Sequence, residues 1–160
     1  MNTLLVYYSR TGTTRKVGEH IAKLLDSEIE EIVDLTNRNG PIGYLAGGRD
    51  ATLGKITSIR ALEKKPSKYG MIIIGTPVWA WTMAPAIRSF VHQNKPFLKG
   101  KKFAFFCTMG GSGDKQLFEH LEALLEEKPV ATLSLLTKEV TKDEYAEKIK
   151  EFVEKIKRSN

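Results

Sequence analysis

At 160 residues, with 41% hydrophobic and 28% charged side chains, the chain has the length and balance of a single globular domain spanning 1–160, large enough to bury a core without disulfides or structural metals. The single cysteine, Cys107, excludes an internal disulfide and a thiolate metal framework, and the stretch from Met1 to Leu5 has neither the basic segment of a signal peptide nor the apolar run of a spanning helix, so a cytoplasmic chain without membrane insertion is expected. The formal charge of +6 favours anionic partners, yet the basic residues are scattered over turns and the last helix without the aromatic interleaving of a nucleic-acid module, so no nucleic-acid partner is expected.

Leu4 to Tyr8 is a short continuous apolar run that ends in a Ser/Thr/Gly cluster, the pattern of a strand buried on both faces of a parallel sheet. From Thr14, Val17, Ile21, Ala22, Leu24 and Leu25 recur at helical spacing until Asp26 and Ser27. Ile29, Ile32 and Val33 lie among glutamates, which suits an edge strand. The Gly-rich stretch from Asn37 to Gly54, with Pro41, predicts a long loop with at most a helical turn, followed by a helix near Ser58 to Lys65. Met71 to Ile74 and Phe103 to Cys107 are two central strands; between them Pro85 opens a helix burying Ile87, Phe90 and Val91 that exits at Pro96 to Gly100. Asp114 caps or begins a helix carrying Leu117, Phe118, Leu121, Leu124 and Leu125; Ala131 to Leu136 is a fifth strand; and a terminal helix from near Thr141 buries Tyr145, Ile149, Phe152, Val153 and Ile156.

Strands alternating with helices predict an α/β, doubly wound sandwich, and in such sheets ligands bind beyond the carboxyl ends of the strands. Three strand-end loops are unusual. Ser9, Arg10, Thr11, Gly12, Thr13 and Thr14 combine four hydroxyl residues with a glycine ahead of a helix N-terminus, an anion nest suited to a phosphate. Thr76, Pro77, Val78, Trp79, Ala80 and Trp81 place two indoles just past a buried strand, and each can stack on a planar ligand or pack in the core. Thr108, Met109, Gly110, Gly111, Ser112 and Gly113 let backbone groups approach a ligand edge.

Two rival chemistries fail on the same residues, and a third keeps its spacing from Ser9 to Arg15 but lacks its thiol nucleophile. A nucleoside-triphosphate loop needs Gly-Lys-Ser/Thr where the chain has Gly12-Thr13-Thr14; a low-molecular-weight tyrosine phosphatase needs a cysteine where Ser9 stands, with no evident base beside it; a receiver domain needs carboxylates where Ser9 and Gly75-Thr76 occur. Three loops offering a phosphate nest, an aromatic shelf and a Gly-rich rim describe a site for a phosphorylated flat ring, and FMN fits all three.

Over nearly its whole length the sequence resembles the flavodoxin family, through Ser9-Arg10-Thr11-Gly12-Thr13-Thr14, Gly75-Thr76-Pro77-Val78-Trp79 and Thr108-Met109-Gly110-Gly111. The resemblance implies a three-layer sandwich on a five-stranded parallel sheet, with FMN phosphate on the first loop, the isoalloxazine ring on the second and its pyrimidine edge on the third. The implied strand order, 2-1-3-4-5, is the flavodoxin family's own pattern and comes with the resemblance, not from residue spacing. Many flavodoxins are acidic and this chain is basic, which points to redox partners with acidic docking surfaces; with no long insertion near the fifth strand it is similar to the short-chain group. The expected role is a low-potential electron carrier, monomeric or weakly dimeric, with no catalytic side chain. The alternatives are an FMN-dependent NAD(P)H:quinone-type oxidoreductase on the same fold and a flavin-free interaction module. Cys107 is expected to pack as a small hydrophobe, His20, His92 and His120 lack metal-ligand spacing, and Tyr44, Arg49 and Asp50 are candidate neighbours of the cofactor.

Overall fold

A computed structural model describes residues 2–159. Strand β1 (Thr3–Tyr7) leads into helix α1 (Thr13–Leu25) and strand β2 (Glu28–Glu31); helix α2 (Gly40–Thr52) and a 3-10 turn at Pro66–Lys68 precede β3 (Met71–Trp79), which folds back on the two-residue β4 (Thr82–Met83). Helix α3 (Pro85–Leu98), β5 (Lys102–Met109), α4 (Asp114–Leu125), β6 (Pro129–Leu136), α5 (Thr137–Thr141) and α6 (Ala146–Arg158) complete the series.

The parallel sheet runs β2-β1-β3-β5-β6, the expected five-strand order, with β4 added antiparallel to the end of β3. Side chains of successive strand residues point to opposite faces, and the core divides accordingly. Leu4, Val6, Ile72, Ile74, Phe103 and Phe105 pack with Phe90, Val91, Leu117 and Leu121 on the face covered by α3 and α4. Leu5, Tyr7, Ile73, Ala104 and Phe106 pack with Val17, Ile21, Ile149 and Phe152 on the face covered by α1 and α6. Strands buried on both sides read as the unbroken apolar runs seen in the sequence, whereas β2, at the sheet edge, tolerates its glutamates.

Three local expectations are corrected. The stretch from Asn37 to Gly54 is mostly the 13-residue helix α2, whose buried positions Gly43, Gly47 and Ala51 lie four apart. Its packing stripe is made of small residues, so no apolar periodicity announces it. The residues from Ser58 to Lys65 form no helix: Ile59 bridges to Asp34, Leu35 N–H donates to the Ser58 carbonyl at 2.9 Å, and the Glu30 carboxylate accepts the N–H groups of Glu63 and Lys64. Those tertiary bonds outcompete two turns of helix that would have only Ile59 and Leu62 to bury. Helix α3 ends at Leu98, inside the expected exit at Pro96 to Gly100. The terminal helix starts later than expected, at Ala146, with the separate short helix α5 ahead of it and Tyr145 buried at the start of α6.

Candidate functional site

The sheet delivers three loops to one edge, at the carboxyl ends of β1, β3 and β5. Each loop touches the next. Thr14, 2% exposed at the start of α1, shares a hydrogen bond of 2.8 Å with Thr108 at the end of β5, joining the first loop to the third. Tyr8 meets Trp79 edge to face, centroids 5.5 Å apart, joining the first to the second. Gly113 lies so close to the β3–β4 hairpin that a Cβ there would stand 2.8 Å from Val78 Cγ1 and 3.0 Å from Trp81 Cδ1, joining the third to the second.

The first loop folds as an anion nest requires. Gly12 is left-handed, with φ 93°, and its N–H donates to Ser9 Oγ at 3.0 Å, curling the loop over the start of α1. Thr13, Thr14 and Arg15, in the first turn, have no carbonyl of their own helix to donate to. The hydroxyls of Thr11 and Thr13 lie 3.4 Å apart on the open side. Arg10 lies over the Tyr44 ring of α2, 5.1 Å from its centroid, whereas Arg15 is paired with Glu31 and Lys16 with Asp143. Arg10 is therefore the cation of this loop that no carboxylate of the described residues neutralises.

In the second loop Thr76 is wholly buried; its hydroxyl accepts the Ala84 N–H at 3.1 Å and donates to the Pro77 carbonyl at 2.9 Å, fixing the chain on both sides of the hairpin. Ala80 and Trp81 form the two-residue turn, both left-handed at φ 47° and 60°. Such turns normally use Asn-Gly; an alanine and a tryptophan there cost roughly 1–2 kcal/mol per residue. The strain has a geometric result: Trp79 turns inward, 7% exposed and packed on Tyr8 and Gly47, while Trp81 stands 60% exposed. Trp79 is a wall and Trp81 a free aromatic face.

In the third loop Thr108 is buried against Thr14, while Met109, Gly110 and Gly111 form the rim. A Cβ built on Gly12, Gly110 or Gly111 meets nothing within 4 Å, so the backbone of the first and third loops borders open space. The donor set, the aromatic face and that space fit a flavin mononucleotide. Cys107 is fully buried one residue below the rim, and burial pushes its thiol up to about 12, so it is a packed hydrophobe rather than a thiolate.

Of the candidate neighbours in α2, Tyr44 faces the first loop and Arg49 lines a cavity of about 310 Å³ with Trp79 and Ala80. Asp50 instead binds Arg38, which is 5% exposed and also donates through Nε to Asp34 at 2.7 Å. This buried Asp34–Arg38–Asp50 cluster, which ties α2 to the end of β2, was not readable from spacing. Burial opposes ionisation of Asp50, but the Arg38 hydrogen bond and charge, helped by Lys55 and Arg49, outweigh it and hold the carboxyl below its ordinary range. Among the described residues no group of three His, Cys, Asp or Glu could hold a metal ion, and no helix is long and apolar enough to cross a membrane.

A flavodoxin-domain family model matches residues 42–160, well over half of the sequence. The chain belongs to the flavodoxin-domain family. Among solved structures, this flavodoxin-domain chain is similar to a flavoprotein in complex with FMN from Lactobacillus acidophilus NCFM, at 26% identity and TM-score 0.72, over 88% of this chain and 97% of that one. It is also similar to the two-electron reduced flavodoxin of Megasphaera elsdenii, at 19% identity and TM-score 0.53, over 83% and 85% of the two chains. An NADH:FMN oxidoreductase in its apo form shares the fold at 16% identity and TM-score 0.63, over 99% of this chain and 90% of that one. No curated protein matches.

Proposed function

We propose that this flavodoxin-domain chain binds FMN at the three-loop edge and works as a low-potential electron-transfer protein. The observation that carries the reading is the mutual contact of the three loops around open backbone, Thr14 with Thr108, Tyr8 with Trp79 and Gly113 with Trp81, in a chain of the flavodoxin-domain family.

Ser9, Thr11, Gly12 and Thr13 would hold the phosphate through backbone N–H groups and hydroxyls, with the α1 N-terminus favouring negative charge. Pro77, Val78, Ala80 and Trp81 would flank the ring, and Met109, Gly110, Gly111 and Gly113 its polar edge. Thr14, Thr76, Trp79 and Thr108 are buried and act by holding the loops in register. When bound, FMN supplies the one- and two-electron chemistry; the protein tunes it and limits access to it. Arg10 adds positive charge at the phosphate end, where it opposes the cofactor's anionic charge. No side chain of this arrangement is needed as a base. The partner class is a redox protein with an acidic docking surface.

The test is a visible spectrum of the purified protein with added FMN, followed by anaerobic reduction in small steps with dithionite and, separately, with NADH or NADPH. Stoichiometric flavin uptake, reduction in two resolved one-electron stages and indifference to nicotinamide are the expected results. Rapid two-electron reduction by NAD(P)H with turnover on a quinone would replace the carrier with the oxidoreductase reading. A protein that takes up no flavin would overturn both in favour of an interaction module.

A further inference from the structure

Beside the hairpin lies an open pocket of about 470 Å³ whose apolar lining is Ala51, Ala80, Ala123 and Leu124. Four polar side chains line it: Thr52 from α2, whose hydroxyl donates to the Gly48 carbonyl, and Arg88 from α3, Thr82 from β4 and His120 from α4, which bond to one another. Arg88 Nη2 donates to Thr82 Oγ1 at 3.3 Å, and the same hydroxyl lies 2.9 Å from His120 Nδ1. The Thr82 hydroxyl thus links the guanidinium to the imidazole in one hydrogen-bonded chain.

Arg88 is anomalous. Its Nε is buried without an acceptor, its one hydrogen-bond partner is a neutral hydroxyl, and among the described residues no carboxylate pairs with it. Arg15, Arg38, Arg49 and Arg158 each meet a carboxylate. Burial alone lowers the Arg88 pKa, with nothing opposing it. A half-buried guanidinium with an unpartnered Nε and no counter-ion is destabilising, so a fold that keeps one beside an open pocket leaves the counter-ion to be supplied from outside. The planar fork of arginine matches a carboxylate, and four apolar walls give a hydrocarbon or aromatic body surface to bury, whereas inorganic phosphate would leave those walls unused.

We propose that the Arg88 cavity binds the carboxylate of a small molecule whose apolar body lies along Ala80, Ala123 and Leu124. Ala80 and Thr82 belong to the hairpin whose Trp81 borders Gly113, so the bound molecule sits one turn of chain from the three-loop edge. The site is complete without flavin and does not rest on the electron-carrier reading.

Benzoate is the probe, with benzamide as its neutral isostere and inorganic phosphate as the body-less anion. Each is titrated into ¹⁵N-labelled protein, with and without FMN added, following the Arg88 Nε–H resonance and the amides of Ala80, Thr82 and His120. Saturable benzoate shifts at these groups under both conditions, with benzamide and phosphate at least tenfold weaker, are expected. Arg88→Met should weaken benzoate at least tenfold while leaving the melting temperature equal or higher, because the charge it removes has no partner. Arg88→Lys, which keeps the charge and loses the fork, should fall between. Benzamide or phosphate binding as tightly as benzoate, shifts confined to other regions, or unchanged binding by Arg88→Met would overturn the assignment. So would a lowered melting temperature or failed folding of Arg88→Met, since the guanidinium would then be structural. His120→Ala provides a second reading and should weaken benzoate several-fold with the fold intact.

Discussion

At Gly113 a single hydrogen atom separates the third loop from the hairpin. With φ at 110° and Val78 Cγ1, Trp81 Cδ1 and the Trp81 Cα all within 3.2 Å of a built Cβ, a side chain here would push on backbone as well as on an indole. Gly113→Ala should cost about 1–3 kcal/mol of stability and at least tenfold in FMN affinity, measured by urea unfolding and flavin titration. Gly110→Ala is the counterpart: its Cβ enters open space, so stability should stay within about 0.5 kcal/mol while FMN binding weakens, because the methyl occupies the cradle. Unequal loss of affinity without loss of stability at Gly110 separates cradle from scaffold. At this scale the sequence was legible only as a set of residue types. It named both indoles but could not assign one to the wall and one to the surface, since that outcome depends on two left-handed residues, Ala80 and Trp81, in a turn lacking the usual Asn-Gly signal.

Helix α2 carries the clearest element-scale lesson. Its buried stripe, Gly43, Gly47 and Ala51, offers no apolar bulk, and the glycines that make the stripe also lower helix propensity, so the sequence reads as loop. The structure holds the helix by other means: Trp79 packed over Gly47, Arg10 over Tyr44, and the Arg38–Asp50 and Arg38–Asp34 pairs. The three small residues spaced by four were the available signal. Since the folded Asp50 carboxyl is held below its ordinary value, its pairing stabilises the fold fully above the usual carboxylate range near pH 4, and this contribution fades as pH falls through the lower folded value. Amide exchange in α2 should therefore accelerate below about pH 4 relative to exchange in α3. Arg38→Met should show fast exchange in α2 already at neutral pH, because it strands Asp34 and Asp50; equal protection of α2 and α3 in both experiments would count against the cluster as the anchor.

Across the whole molecule, the strands buried on both faces were the most legible elements, because an apolar run bounded by Gly, Ser and Thr has few other readings in a chain that alternates strand and helix. The added β4 was not legible, since Thr82–Met83 are two residues long and owe their pairing to the hairpin. Charge is the other whole-molecule property, and its distribution decides what it can do. The formal +6 is the excess of 25 Lys and Arg over 19 Asp and Glu, so pairs such as Arg15 with Glu31, Lys95 with Glu126 and Lys148 with Glu139 leave it unchanged and only localise it on the cations without a partner. Near the three-loop edge, among the described residues, Arg10 and Arg88 meet no carboxylate, Asp34 and Asp50 are matched by Arg38 together with Arg49 and Lys55, and Asp114 is bonded only to the Ser134 hydroxyl. With the chain at a formal +6 and Arg10 without a carboxylate partner among the described residues of this edge, an approaching partner meets a cationic protein. Electron transfer to an acidic redox protein should be steered, and steering decays as the Debye length shrinks from about 30 Å at 0.01 M salt to about 3 Å at 1 M. Stopped-flow rates with an acidic acceptor should drop at least tenfold over that range, and Arg10→Gln should flatten the dependence without altering α1. A rate that rises with salt would mean like charges meet at the docking face, and the partner would then have to be basic or neutral.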